Sequence, residues 1–213
     1  MRIAVLIPDR NDRPIFLKNC LRMLSEQTMK PDHIELVNDK PLSDYCDITY
    51  RYRIGFERLK NKGFDCVLLI ENDDWYSPKY IETMVKKWEE EGRPSLLGHR
   101  YTYYYHIRHH IYEMMHHKRR SSAMNTLVKG DIEMTWPADH DPYADIHIWR
   151  EIGGVTFTPE DPLCIGMKHG VGKLGGRMHK DKFERYRNKD GRAFLLKHLD
   201  EKSLYFYLRY YEL

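Results

Sequence analysis

Over the first 92 residues, short β-forming runs alternate with helically spaced apolar positions, and this alternation sets the fold class. Residues 2–7 (RIAVLI) form a β-rich run stopped by Pro8. Leu17, Cys20, Leu21 and Leu24 then recur at helical spacing and predict an amphipathic helix over 15–26. Residues 33–38 (HIELVN) read as a second strand. Ile54, Phe56 and Leu59, ended by Gly63, read as a short helix. Residues 66–70 (CVLLI) are a third strand, and Tyr80, Ile81, Met84, Val85 and Trp88 give a helix running from Pro78 to Gly92. Strand–helix alternation of this kind predicts right-handed crossovers and a parallel sheet. Ligands of such sheets bind beyond the carboxyl ends of the strands. The tips after the three strands are PDRND, NDKP and ENDD, so one polar rim is expected.

The third tip, within LLIENDDWYSP (68–78), places Glu71, Asp73 and Asp74 at the mouth of a buried strand. Carboxylates crowded in apolar surroundings repel one another and lose hydration, so the site calls for a positive partner.

The second half is less regular. Strands are expected near 95–97, 101–106, 111–115, 155–157 and 164–167, a short helix over 144–151, and one or two helices from 192 to 213. Gly166, Gly170, Gly172, Gly175 and Gly176 suggest a flexible loop. There is no repeat, low-complexity linker or composition break, so a single domain spanning 1–213 is expected.

The 41% hydrophobic and 31% charged content is that of an ordinary globular protein. No apolar run approaches the ~20 residues a membrane-spanning helix needs. The opening MRIAVLIPDRND reads as a strand rather than a signal peptide. The cysteines, Cys20, Cys46, Cys66 and Cys164, are scattered and read as reduced, which implies a cytoplasmic location. The net charge is only +3, but residues 98–120 hold five Lys/Arg and six His against one acid, and 168–192 hold nine Lys/Arg against three acids. Such segments suit an anionic ligand.

Three stretches, IAVLIPDRNDRPIFLKNCLRMLSEQT, IELVND and VLLIENDDWYSPKYIETMV, together resemble the nucleotide-sugar-binding half of GT-A glycosyltransferases, and most closely family two. The likeness covers about residues 1–92. It implies an α/β, Rossmann-like GT-A fold: a mostly parallel central sheet flanked by helices, a smaller acceptor-side β/loop region and a helical C-terminal tail. Residues 1–92 would bind the nucleotide sugar, and 93–213 would bind the acceptor and supply a lid. The implied reaction is transfer from a nucleotide sugar, UDP-linked, to an acceptor hydroxyl with inversion, assisted by Mn²⁺ or Mg²⁺.

The resemblance also implies roles. Pro8, Asp9 and Asn11 form the opening turn at the nucleotide, where Asp9 stands in place of the family's usual Thr. Asp39 would hold the base, with Asn38 in place of the first acid of the family's pair. Glu71, Asn72 and Asp73 correspond to the DxD element: Asp73 on the metal, Glu71 acting through water or the ribose, and Asp74 supporting them. A helix-capping role for Asp73, Asp74 or Ser77 is the competing structural reading. In GMKHGVGKLGG (166–176), His169 would be a third metal ligand and Lys173 a phosphate contact on a lid; a plain surface loop is the alternative. Arg51 or Arg53 would touch the donor. PYADIHIWREI resembles the segment carrying the base, with Ala144 in place of Glu and Asp145 as the base. Asp139 and Asp141 are alternatives, and N-capping is the structural option for all three.

The acceptor is a glycan or small molecule, or a hydroxymethylated pyrimidine in nucleic acid. The second option rests on the aromatic and basic segment 99–124, HRYTYYYHIRHHIYEMMHHKRRSSAM, whose tyrosines could instead be core or dimer interface. The rival class is a non-catalytic nucleotide- or polyanion-binding protein on the same fold.

Overall fold

A computed structural model describes residues 1–40, 46–170 and 186–210. The first strand, β1 (Ile3–Pro8), is buried along its whole length. Its side chains alternate between two cores, as the two-residue period of a strand requires. Ile3, Val5 and Ile7 enter one apolar cluster, while Ala4 and Leu6 enter the other. Strand β3 (Cys66–Leu69) divides in the same way, so helices must cover both faces of this sheet. Helices α1 (Pro14–Ser25) and α3 (Tyr80–Glu90) cover the first face. Helices α2 (Ile48–Leu59) and α4 (Ala144–Ile152) cover the second.

The central sheet has six strands in the order β2-β1-β3-β8-β5-β9, with β2 at His33–Val37, β5 at Leu96–His99, β8 at Thr126–Lys129 and β9 at Val155–Phe157. Strand β1 pairs in parallel with β2 and β3, and β5 in parallel with β9; only β8 runs antiparallel, between β3 and β5. The sheet is therefore mostly parallel, as expected.

A second sheet accounts for much of the half that looked irregular. Its order is β4-β10-β6-β7, with β4 at Trp75–Tyr76, β6 at Tyr101–His106, β7 at Ile111–His116 and β10 at Cys164–Lys168. The tail forms α5 (Gly191–His198) and α6 (Glu201–Arg209), and α6 is N-capped by Asp200, which accepts from the Ser203 amide at 2.9 Å.

Several expectations need correction. Helix α2 begins at Ile48, well before residue 54, and its C-cap is Lys60 rather than Gly63. Strands β4 and β8 had no forecast. Gly166 lies inside the buried strand β10, not in a loop: a Cβ there would sit 2.6 Å from the Tyr104 ring. All four cysteines are thiols, and Cys20, Cys66 and Cys164 are buried. Among the described residues no helix is long and apolar enough to cross a membrane.

Gly55 marks where α2 crosses β1 most closely. A Cβ at this position would lie 2.1 Å from Leu6 Cδ1 and 2.8 Å from Val37 Cγ2. Gly55→Val is expected to destabilise the protein by about 1–3 kcal/mol through overpacking, read as a lower urea midpoint at unchanged slope.

Candidate active site

The carboxyl ends of β1, β2 and β3 meet on one rim and are tied to each other. The Ile70 amide donates to Leu6 O at 3.0 Å, and the Asp9 amide to Val37 O at 3.0 Å. Asn11 adopts a left-handed backbone, φ 61°, and its side-chain amide donates to Asn38 O at 2.7 Å. Asn72 donates to Asp9 Oδ1 at 2.6 Å. Pro8, Asp9, Asn11, Asn72 and the DxD-like acids are thus brought together.

Glu71, Asp73 and Asp74 each offer a carboxylate oxygen, and these atoms lie within 4.8 Å of one another. Strand β4 follows directly and pairs with β10, Trp75 with Ile165 and Tyr76 with Cys164, so the second sheet clamps the acidic turn. The Met167 amide donates to Asp74 Oδ1 at 2.7 Å. His169 Nε2 meets Asp73 Oδ2 at 2.8 Å, and the Tyr76 hydroxyl accepts from the Glu71 amide at 2.8 Å. Neither Asp73 nor Asp74 caps α3, which has no side-chain cap; Ser77 Oγ accepts only from the Lys79 amide, at 3.3 Å.

The positive partners are Arg13 and Lys168, neither of which was singled out from sequence. Arg13, at the start of α1, forms an ion pair with Asp73 Oδ2. Lys168 closes β10, is 7% exposed, and holds its ammonium 4.9 Å from the centre of the Tyr104 ring. The space that Gly166 leaves admits that ring.

The charges respond to one another. Burial would raise the Asp73 pKa, but Arg13, His169 and Lys168 outweigh it and hold the carboxylate well below its usual range. Burial and the neighbouring Asp73 push Glu71 up, against the pull of Lys168. Burial, then Asp73 and Glu71, also push Asp74 up. Lys168 is held above its ordinary value because Asp74, Tyr104, Glu71 and Asp73 together overcome its burial.

The buried Asp74 Oδ2 and Asn72 Oδ1 make no hydrogen bond among the described residues. Three convergent carboxylates, with one orphaned oxygen of their own and one of the neighbouring Asn72 amide, suit a hard divalent cation such as Mn²⁺ or Mg²⁺, which takes oxygen ligands. The donor set therefore fits the expected metal.

Of the three base candidates, Asp145 lies in the first turn of α4, pairs with Arg120, and is the one whose charge bears on Glu71. Burial raises its pKa, while Arg120 and backbone N–H groups pull it down. Asp139 is instead held by Arg53 at 2.9 Å, and Asp141 by His147 Nε2 at 3.1 Å and the Tyr143 amide at 2.8 Å.

Arg53 forks onto Asp139 and Glu57. Arg51 faces the rim, donating to Val37 O at 2.9 Å and Asp39 O at 3.1 Å while pairing with Asp47 at 2.9 Å. The Asp39 carboxylate takes Arg58 at 2.8 Å. Lys173 lies outside the described residues.

Of the five tyrosines in segment 99–124, Tyr105 is buried and the other four are partly buried. Tyr112 stacks on Phe194 at 4.1 Å, and Tyr103 meets the same ring at 5.3 Å. Burial pushes His99 down to about 3, and His106 and His117 to about 4, so these three carry no charge at neutral pH.

The sequence matches no protein-family model, and no curated protein matches it significantly. Solved structures do share its fold. A complex of Staphylococcus aureus TarS residues 1–349 with UDP-GlcNAc superposes with TM-score 0.61, at 9% identity, over 99% of this chain and 71% of that one. The same fragment with UDP gives TM-score 0.55, at 11% identity, over 100% and 72%. The fold is that of a GT-A-like glycosyltransferase.

Proposed function

We propose that this protein is a glycosyltransferase that moves a sugar from a UDP-sugar to an acceptor hydroxyl with the help of Mn²⁺ or Mg²⁺. The observation that carries this reading is the grouping of Glu71, Asp73 and Asp74 at the β3 tip, with Arg13, His169 and Lys168 around it and Asp145 close enough to affect Glu71. Similar folds were solved with UDP-GlcNAc and with UDP, which favours a uridine nucleotide as the ligand of this rim.

Asp73, Glu71 and Asp74 would hold the metal, which when bound neutralises charge on the donor's diphosphate. Pro8, Asp9, Asn11 and Asn72 line the nucleotide side, and Asp39 at the end of β2 serves the base. Asp145 takes the acceptor's proton as the acceptor oxygen bonds to the anomeric carbon. The bond from that carbon to the diphosphate oxygen breaks, and its electron pair leaves with UDP. A single displacement of this kind inverts the anomeric centre. Lys168 stabilises the departing negative charge from the second sheet.

The stacking of Tyr103 and Tyr112 on Phe194 and the neutral His99, His106 and His117 reduce the rings and charges this segment can offer to nucleic acid, which favours a glycan or small hydroxylated acceptor.

A panel of nucleotide sugars incubated with Mn²⁺ tests the reading. UDP release is expected from a UDP-sugar and should cease with EDTA. No turnover or binding of any nucleotide sugar, with the fold intact, would favour the non-catalytic polyanion-binding alternative.

A further inference from the structure

Arg13 already engages the carboxylate expected to anchor a metal. Its guanidinium and the imidazole of His169 converge on the same oxygen, Oδ2 of Asp73. Arg13 also pairs through Nε with Asp12 at 3.3 Å, and its side chain is 15% exposed. With Lys168, it supplies two built-in positive charges to a turn carrying three carboxylates. A site already compensated in this way has little electrostatic reason to take up a dication on its own. With Asp12 still paired, moving Arg13 off Asp73 would cost a largely buried guanidinium its nearest carboxylate, a loss that an arriving anion would offset.

We infer that Arg13 is a resident counter-cation of Asp73 that yields to the metal only when a nucleoside diphosphate arrives to receive it. The inference rests on the proposed reading of the site and adds a binding order to it. Arg13 is the N-cap residue of α1, where its carbonyl accepts from the Phe16 and Leu17 amides and its side chain is left to reach Asp73. An arginine is well suited to exchange a carboxylate for a phosphate, since its fork matches both bidentately. The diphosphate's negative charge would take over from Asp73 as the partner of Arg13, while Asp73, Glu71 and Asp74 turn to the metal. Metal and nucleotide are then coupled through a single side chain, and the coupling must be reciprocal: each tightens the other by the same factor.

The test is direct titration of the whole chain with Mn²⁺, by calorimetry or by the loss of the free-ion EPR signal, with and without UDP. The wild type is expected to bind Mn²⁺ at least about tenfold more tightly when UDP is present, a coupling of about 1.4 kcal/mol. Arg13→Met should bind Mn²⁺ alone at least about tenfold more tightly than the wild type, and UDP should then add little. Arg13→Lys keeps the charge without the fork and should fall between the two. Circular dichroism of both variants checks that the fold persists, and Arg13→Lys carries the comparison if Arg13→Met does not fold. Equal Mn²⁺ affinity in the wild type and the folded variants overturns the inference while leaving the metal reading in place. Failure of every form to bind Mn²⁺, with or without UDP, overturns both.

Discussion

Asp73→Asn is expected to abolish transfer while the chain still folds. The carboxylate is the hub of the site: Arg13 and His169 share its Oδ2, and its backbone carbonyl accepts a long 3.5 Å contact from the buried Tyr207 hydroxyl. Asn keeps the shape but has no negative charge for a dication. The developing charge on the leaving diphosphate would then lose its main neutralising group. Losing one such electrostatic stabiliser costs on the order of 10²–10³-fold in kcat, and losing the anchor of the ion as well should take activity below detection. Stability should fall too, because Arg13 loses its ion-pair partner in a site that is mostly shielded from water. The loss should stay short of unfolding, since Glu71, Asp74 and Asp12 remain near the guanidinium. Far-UV circular dichroism, a thermal melt and a UDP-release assay in Mn²⁺ separate these effects. Metal-dependent turnover near the wild-type rate would sink the assignment of Asp73.

The hub was legible in the sequence because its signal is local. A four-residue apolar strand that runs straight into acids has few structural uses, and β3 is buried at every position. The same logic could have found Lys168. CIGMK is also an apolar run ending in a charge, and β10 is buried throughout. It was absorbed into the count of a basic segment, because burial of one lysine in a run of nine cations is a property of tertiary packing. Arg13 was hidden in another way: it follows the PDRND tip at the start of α1, and only its ion pair with Asp73 in the folded chain shows that it turns inward.

Arg51 and Arg53 are equivalent in the sequence and differ in the structure for a helical reason. Residues two apart on a helix point about 200° away from each other, so one of the pair must face outward. With the start of α2 placed six residues late, both lay outside the helix and no face could be assigned. Strand β8 escaped because four residues, TLVK, inserted antiparallel between β3 and β5 carry no crossover helix and no alternation long enough to read.

Asp145→Asn should spare donor and metal binding and lose the chemical step. Asp145 lies on α4, apart from the acidic turn, and its carboxylate contacts among the described residues are Arg120 and backbone N–H groups. Asn is nearly isosteric but cannot accept a proton at neutral pH. The expected loss is about 10²–10⁴-fold in kcat, with UDP affinity by calorimetry unchanged. The pH profile adds a test that a purely structural role would not meet. Burial raises the pKa of Asp145, so the active carboxylate is present at high pH and is lost as pH falls through a value above the ordinary aspartate range. Arg120 opposes that rise, so Arg120→Met should move the acidic limb of kcat to higher pH, and Arg120→Lys should restore most of its position. If Asp145→Asn stays active while Asp139→Asn or Asp141→Asn does not, the base lies upstream, although in this structure those two carboxylates are held by Arg53 and His147. If all three variants stay active, single displacement is the wrong mechanism, and retention of configuration in the product by NMR would show it.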